Sequence, residues 1–350
     1  MLSTASFTDL CERMLRLCNA NADENIAIVS QGDERMDYVD AFLGAAERIG
    51  STTFHLRLPN ATLAIGGDVG VWKVGATPLT GHRPAIEALK HADLVVDTMF
   101  IHHSLEQVEI LESGTRIITV VEAQDLLARL FPTEETTTRT QTGVDLISEA
   151  SELRFTNPAG TDVTYKLGTY PASGQFGFSA DPGHWDHWPS SGMAYAYASD
   201  DGVDGKIVVA AGDVLLPFKT YAQTPIEFTI ENGRIQSIEG GVDAEVIREY
   251  LANFDDPNAY GMSHVGWGMN PHAKWTALAT DRRGHGMELR AFEGNVMFST
   301  GPNTQVSGPN NTEAHTDIVM RDCSLFLDDE PILVDGELQD VAKAPAGAAA

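Results

Sequence analysis

The sequence predicts an α/β amino-terminal domain with a mainly parallel sheet, residues 1–150, followed by an α+β domain, residues 151–350. Three observations carry that expectation. Up to about residue 150 short apolar runs alternate with helical patterns, as parallel strands joined by crossover helices require. Beyond it, apolar runs are joined by tight turns, one of them Asn232-Gly233, and read as antiparallel hairpins. The 350 residues, 43% hydrophobic, suffice for two well-filled cores, since single domains cluster around 100–150 residues.

Taken in order, the chain opens on an amphipathic helix in which Cys11 and Cys18, seven apart in LCERMLRLC, share one face as small core residues. IAIVS (26–30) is the first strand, RMDYVDAFLGAAERIG (35–50) a helix, and TTFHLRL (52–58) the next strand. PAIEALKHA (84–92) is helical, LVVDTMF (94–100) and RIITVV (116–121) are strands, and AQDLLARLF (123–131) is helical again. The first strand is not followed by G-x-G-x-x-G, so the sequence gives a dinucleotide site no support. A polar, helix-compatible stretch (133–153) leads into LRFTNPAGTDVTYKL (153–167), two strands around an Asn-Pro-Ala-Gly turn. IEFTIENGRIQSIEG (226–240) is a hairpin with a type I′ turn, and DAEVIREYLANF (243–254) a helix. GKIVVAAGDVLLPF, GNVMFSTGPN and CSLFLDDEPILVDGEL add strands, and the small-residue AKAPAGAAA reads as a frayed tail.

Fifty acidic against 23 basic residues give a formal net charge of -27. Such a field repels phosphate backbones and anionic lipid surfaces, which argues against nucleic acid or membrane as a partner and for a small molecule. Three cysteines, Cys11, Cys18 and Cys323, make no disulfide framework and point to a reducing compartment. With neither a basic, apolar leader nor a run approaching 18 apolar residues, the expected location is the cytoplasm.

Near the end of the chain stands EAHTDIVMRDC (313–323), where His315 and Asp317 are two apart. On a strand, residues i and i+2 face the same way, so an imidazole and a carboxylate there can converge on one ion. Most of the other histidines have ordinary placements: His55 within a strand, His91 on a helix, and His82, His184, His272 and His285 in Gly/Pro-rich or charged loops. His264 differs, lying in YGMSHVGWGMNPHAKW, whose glycines and aromatics permit close backbone approach and an apolar cavity. Two imidazoles and one carboxylate suit a non-haem Fe(II) enzyme that activates dioxygen, and equally a zinc hydrolase. FSTGPNTQV (298–306) could aim Ser299 or Thr300 at the same place. His102 and His103 stand at the carboxyl end of a predicted parallel strand, where either could act as a base or orient a substrate. In WDHWP, Trp185 and its neighbouring indole flank His187 and offer a wall for a flat ring.

DTMFIHHSLEQ, DPGHWDHWPS, YGMSHVGWG, FSTGPNT and AHTD, in this order, resemble the 2,5-dihydroxypyridine 5,6-dioxygenases, iron-dependent ring-cleaving enzymes of bacterial nicotinic acid and nicotine breakdown. The resemblance runs over nearly the whole chain. It implies a leucyl aminopeptidase T-like fold with a metal-bearing second domain, and Fe(II) on His264, His315 and Asp317 with the Ser299 hydroxyl as a further ligand. It also implies that His103 guides the substrate, a dihydroxypyridine cleaved with O2. The position before it, aliphatic in that family, is His102 here. A homo-oligomer is expected. The alternative from the same fold is a metallo-aminopeptidase, which would need further Glu ligands to bridge a second ion.

Overall fold

In the computed structural model, residues 2–59, 73–280 and 284–343 are described; the last seven residues of the predicted frayed tail lie outside them. Five strands run parallel in the order Thr52–Leu58, Asn25–Gln31, Leu94–Asp97, Arg116–Val120, Trp185–Trp188. The alternation of their side chains fills both faces. Ile26, Ile28, Leu94, Val96 and Ile118 pack with Phe7, Cys11, Met14 and Phe42, while Ala27, Val29, Val95 and Ile117 pack with Ile86, Leu89 and Ile110. The helix Thr4–Leu17 starts where the Ser3 side chain accepts the Ser6 amide, and it buries Cys11. Met36–Ile49 ends at Gly50, whose φ of 89° is the left-handed conformation that terminates helices. Burial pushes the Cys18 thiol up to about 12, the behaviour of an inert packing residue.

From Val74 onward the chain crosses between two compact units three times, and not once near residue 150. The first unit contains Val74–Pro132 and, after an excursion, Phe176–Ser191; the second contains Thr133–Gln175 and the chain from Gly192 onward. The reason is the strand Trp185–Trp188, which pairs with Arg116–Val120 in the register Ile117↔Trp185 and completes the first sheet. Its sequence, WDHW, is too polar to read as a buried parallel strand. The helix Glu134–Glu149, capped by Thr133, belongs to the second unit, where Ile147 joins the core.

That second unit is built on an eight-stranded and a seven-stranded sheet, whose pairings are antiparallel. They share a core that includes Phe155, Tyr165, Phe228, Trp267, Phe298 and Met320. The hairpin Ile226–Glu231 to Arg234–Gly240 turns at Asn232 (φ 50°) and Gly233 (φ 71°), both left-handed as a type I′ turn demands. A Cβ on Gly233 would come within 2.1 Å of the Asp200 carbonyl oxygen, so only glycine fits. Among the described residues, no helix is long and apolar enough to cross a membrane.

Candidate metal centre

Three neighbouring strands inside the seven-stranded sheet, Met262–Gly268, Val296–Thr300 and Thr316–Met320, bring the sequence-distant residues together. His264 lies where the register shifts between Met262 and Val265, a bulge that re-aims a side chain. The Ser299 hydroxyl fills that bulge, accepting the His264 amide at 2.9 Å and donating to the His264 carbonyl at 3.0 Å. Ser299 in turn pairs across the ladder with Asp317. One lone pair of its hydroxyl is left over by these two bonds.

His315 immediately precedes its strand, held by the Tyr250 hydroxyl, which accepts its amide at 3.2 Å and donates to its carbonyl at 3.0 Å. Gly301, at φ 118°, lets the FSTGPN turn pass against it; a Cβ there would lie 2.3 Å from the Ala314 carbonyl oxygen. His315 Nδ1 lies 3.0 Å from the Thr300 carbonyl, which can only accept, so Nδ1 carries a proton and Nε2 is the nitrogen turned towards Asp317. That Nε2 is 3.2 Å from Asp317 Oδ1, and His264 Nε2 is 3.4 Å from the same oxygen. The other oxygen, Oδ2, accepts from the Arg290 guanidinium.

One ligand atom from each of His264, His315 and Asp317 lies within 4.8 Å of the others, and all three residues are buried. Burial pushes the His264 imidazole down to about 3, so it is neutral at pH 7. For Asp317 burial acts in the opposite sense, but the Arg290 guanidinium and the two imidazoles outweigh it and hold the carboxyl well below its usual range. The result is a carboxylate oxygen facing ring nitrogens in a water-poor pocket, an electron-rich convergence that a divalent cation would neutralise. Two imidazoles and one carboxylate fit a transition ion and poorly suit Mg²⁺ or Ca²⁺, which prefer all-oxygen shells. A cavity opens onto His315 and Asp317, with Leu216, Pro217 and Met287 as apolar wall and Lys219 and His285 as polar groups.

The remaining predicted residues gather in the first unit. Its strand order makes the first and third strands neighbours, and His102 and His103 follow the carboxyl end of the latter, at the switch point where open α/β sheets bind ligands. The buried Asp97 carboxylate shapes this loop: it accepts the amides of Met99 (2.8 Å), Phe100 (3.0 Å) and Ile101 (3.0 Å) and the Thr119 hydroxyl (2.9 Å). Phe100 and His103 adopt positive φ, 66° and 59°. Trp185 donates to the Thr119 hydroxyl at 3.1 Å and stacks on His102 at 4.0 Å, 8° from parallel. His103 lies 3.8 Å from His102, and the buried His187 ring is 6.1 Å from Trp185 and 5.5 Å from Phe100.

With both ring clusters described, the comparison with known proteins becomes decisive: the family model of NicX, 2,5-dihydroxypyridine 5,6-dioxygenase, matches residues 6–340. The chain belongs to the 2,5-dihydroxypyridine 5,6-dioxygenase family. It is 40% identical over 341 residues to the 2,5-dihydroxypyridine 5,6-dioxygenase of Pseudomonas putida KT2440, covering 96% of this chain and 97% of that one. The solved structure of 2,5-dihydroxypyridine dioxygenase from the same organism superposes with a TM-score of 0.92 at 40% identity, over 98% of this chain and 100% of that chain. Wild-type AmpT from Thermus thermophilus superposes with a TM-score of 0.64 at 15% identity, over 95% of this chain and 99% of that one. The dioxygenase family is thus an enzyme family on the expected aminopeptidase T-like fold, and the AmpT likeness shows that fold alone. Among the described residues a single group of His, Cys, Asp or Glu has metal-binding geometry, against the two-ion alternative.

Sequence reasoning missed Arg290, Tyr250 and Asp97. Asp97, at the end of the apolar run LVVD, carried a readable signal; Arg290, on the short helix Met287–Ala291, carried none.

Proposed function

We propose that the protein cleaves 2,5-dihydroxypyridine between C5 and C6 with O2, giving N-formylmaleamic acid, with one Fe(II) held by His264, His315 and Asp317. The observation that carries this is the convergence of two imidazole nitrogens on one Asp317 oxygen in a member of this family. Bound there, Fe(II) would supply a redox-active Lewis acid with open coordination positions, the character that dioxygen activation requires.

The chain's own residues prepare that centre. Asp317 contributes the single negative charge, so with two neutral imidazoles a divalent ion keeps a net charge near +1. Arg290 occupies Oδ2 and leaves Oδ1 turned to the imidazoles. Thr300 fixes the His315 tautomer through its carbonyl. Ser299, beyond closing the bulge, is assigned as an accessory ligand through its remaining lone pair. We assign His103 the proton of a ring hydroxyl, which makes the ring a better electron donor, and His102, Trp185 and His187 the surface against which the flat ring lies. The support is the family motif and the stacking that fixes these rings. The protein is placed in the cytoplasm, consistent with three buried, unbridged cysteines, and it works as a homo-oligomer.

The test is anaerobic reconstitution with Fe(II), then O2 uptake with a panel of dihydroxypyridines. One iron per chain and one O2 consumed per 2,5-dihydroxypyridine are expected. Two ions per chain, or dipeptide hydrolysis without O2 uptake, would refute the proposal.

A further inference from the structure

The two candidate histidine ligands are held in different ways. His315 has a hydrogen bond on the nitrogen away from Asp317, its Nδ1 donating to the Thr300 carbonyl at 3.0 Å. His264 turns Nε2 to within 3.4 Å of Asp317 Oδ1, and its Nδ1 is buried without a hydrogen-bond partner among the described residues. A histidine that binds a metal ordinarily gives its second ring nitrogen to a carbonyl or carboxylate, which fixes the rotation of the ring. For His264 the Ser299 hydroxyl grips the backbone amide and carbonyl, and no such bond grips the imidazole.

Two phenol rings lie against that imidazole. The strand Met193–Tyr197 runs antiparallel to Met262–Gly268, with His264 opposite Tyr197 and Gly266 opposite Tyr195, so the three side chains share one face of the sheet. The Tyr197 ring meets the imidazole edge-on, 5.6 Å between centroids and 77° between planes, and the Tyr195 ring lies 5.5 Å from it at 58°. These are the separations and tilts of favourable aromatic pairs. Gly266 makes room for Tyr195, since a Cβ there would come within 2.7 Å of the Tyr195 Cβ. Tyr197, 2% exposed, is itself tied down: its hydroxyl donates to Gln305 Oε1 at 3.1 Å, and its ring packs on Tyr195 at 6.3 Å.

We propose that Tyr195 and Tyr197 are positioning residues for the metal centre, whose rings hold the His264 imidazole in its ligating orientation in place of the hydrogen bond that holds His315. This rests on the reading of His264 as a ligand and goes beyond it by assigning what aims that ligand. An imidazole that must first be ordered when the ion arrives spends binding free energy on the ordering, whereas one already clamped does not. The role belongs to the aromatic rings, so phenylalanine should serve in either position and an aliphatic side chain should not.

The test is calorimetric titration of Fe(II), under argon, into metal-free wild type, Tyr195→Phe, Tyr197→Phe, Tyr195→Leu, Tyr197→Leu and His264→Ala. Co(II) serves as a second probe, because its visible spectrum reports the geometry of its ligands, and thermal unfolding in chelator establishes that each variant is folded. Loss of an outer partner of a metal ligand weakens metal binding about 10–100-fold. Each leucine variant should weaken Fe(II) binding by that factor and alter the Co(II) spectrum, while both phenylalanine variants keep the wild-type affinity and spectrum. Tyr195 is only part-buried, so Tyr195→Leu carries the test if Tyr197→Leu does not fold. A folded leucine variant that binds Fe(II) as tightly as wild type, or phenylalanine variants as weak as the leucine ones, would overturn the proposal. A His264→Ala protein that binds Fe(II) like the wild type would overturn the reading of His264 as a ligand. Weak binding by His264→Ala beside unaffected leucine variants overturns only the role of the two tyrosines.

Discussion

Replacing Arg290 by methionine tests the electrostatic account of the centre most directly. Arg290 and Asp317 are 6% and 2% exposed at their side chains, so the pair is shielded from water on both sides. Removing one partner of a buried pair leaves an uncompensated charge and costs about 3–5 kcal/mol. That figure applies to the metal-free protein. With a divalent ion facing Oδ1, the carboxylate keeps a counter-charge and the loss should fall to about 1.5–3 kcal/mol, the worth of a charged hydrogen bond. Metal should therefore stabilise Arg290→Met by about 2 kcal/mol more than it stabilises the wild type, or roughly 4–8 °C in Tm for a domain of this size. Thermal unfolding followed by circular dichroism, with each protein in chelator and with saturating Fe(II) under argon, measures this double difference. Equal destabilisation of the variant in both conditions would refute the reasoning, because it would mean that the cation and Arg290 do not share one carboxylate.

Asp317→Ala removes the anionic ligand and should lose both iron and turnover; stoichiometric iron in that variant, by metal analysis, would remove Asp317 from the centre. Ser299→Ala should reduce iron retention less than His264→Ala does, because a neutral hydroxyl is the weaker donor; equal loss in parallel dialysis experiments would reverse that ranking. His103→Ala should keep its iron and lose turnover by about 10²–10⁴-fold, the usual worth of a general base. His102→Ala should be milder, and O2 uptake showing it to be the more damaged of the two would mean that the adjacent imidazoles have exchanged roles.

The parts of the centre that were legible in the sequence are those whose logic is local. His315 and Asp317 could be paired because strand geometry alone places i and i+2 on one face, and the strand Thr316–Met320 begins between them. His264 stood out through its glycine- and tryptophan-rich surroundings, and the structure shows the use of one of those glycines: a Cβ on Gly266 would come within 2.1 Å of the Ala194 carbonyl oxygen on the neighbouring strand. The hairpin at Asn232-Gly233 was legible for the same reason, turn chemistry being written in two residues. Arg290 was not, because its partner lies 27 residues away and the contact depends on how a five-residue helix packs. The strand Trp185–Trp188 was read as an aromatic wall, and Trp185 does stack on a ring; its second role, as the fifth strand of the parallel sheet, depends on a pairing partner 68 residues earlier that no local pattern could name.

That fifth strand also bears on how the chain is made. Until residues 185–188 emerge from the ribosome, Arg116–Val120, all five residues of it buried in the finished fold, has one edge unpaired. An apolar open edge is a template for pairing with another chain. The first unit must wait through the intervening residues 133–175 before that edge is covered, so its folding is not finished when its first 132 residues exist. A fragment cut at residue 132 would carry the open edge permanently and should aggregate, and a self-sufficient first unit would need the segment Phe176–Ser191 rejoined to it.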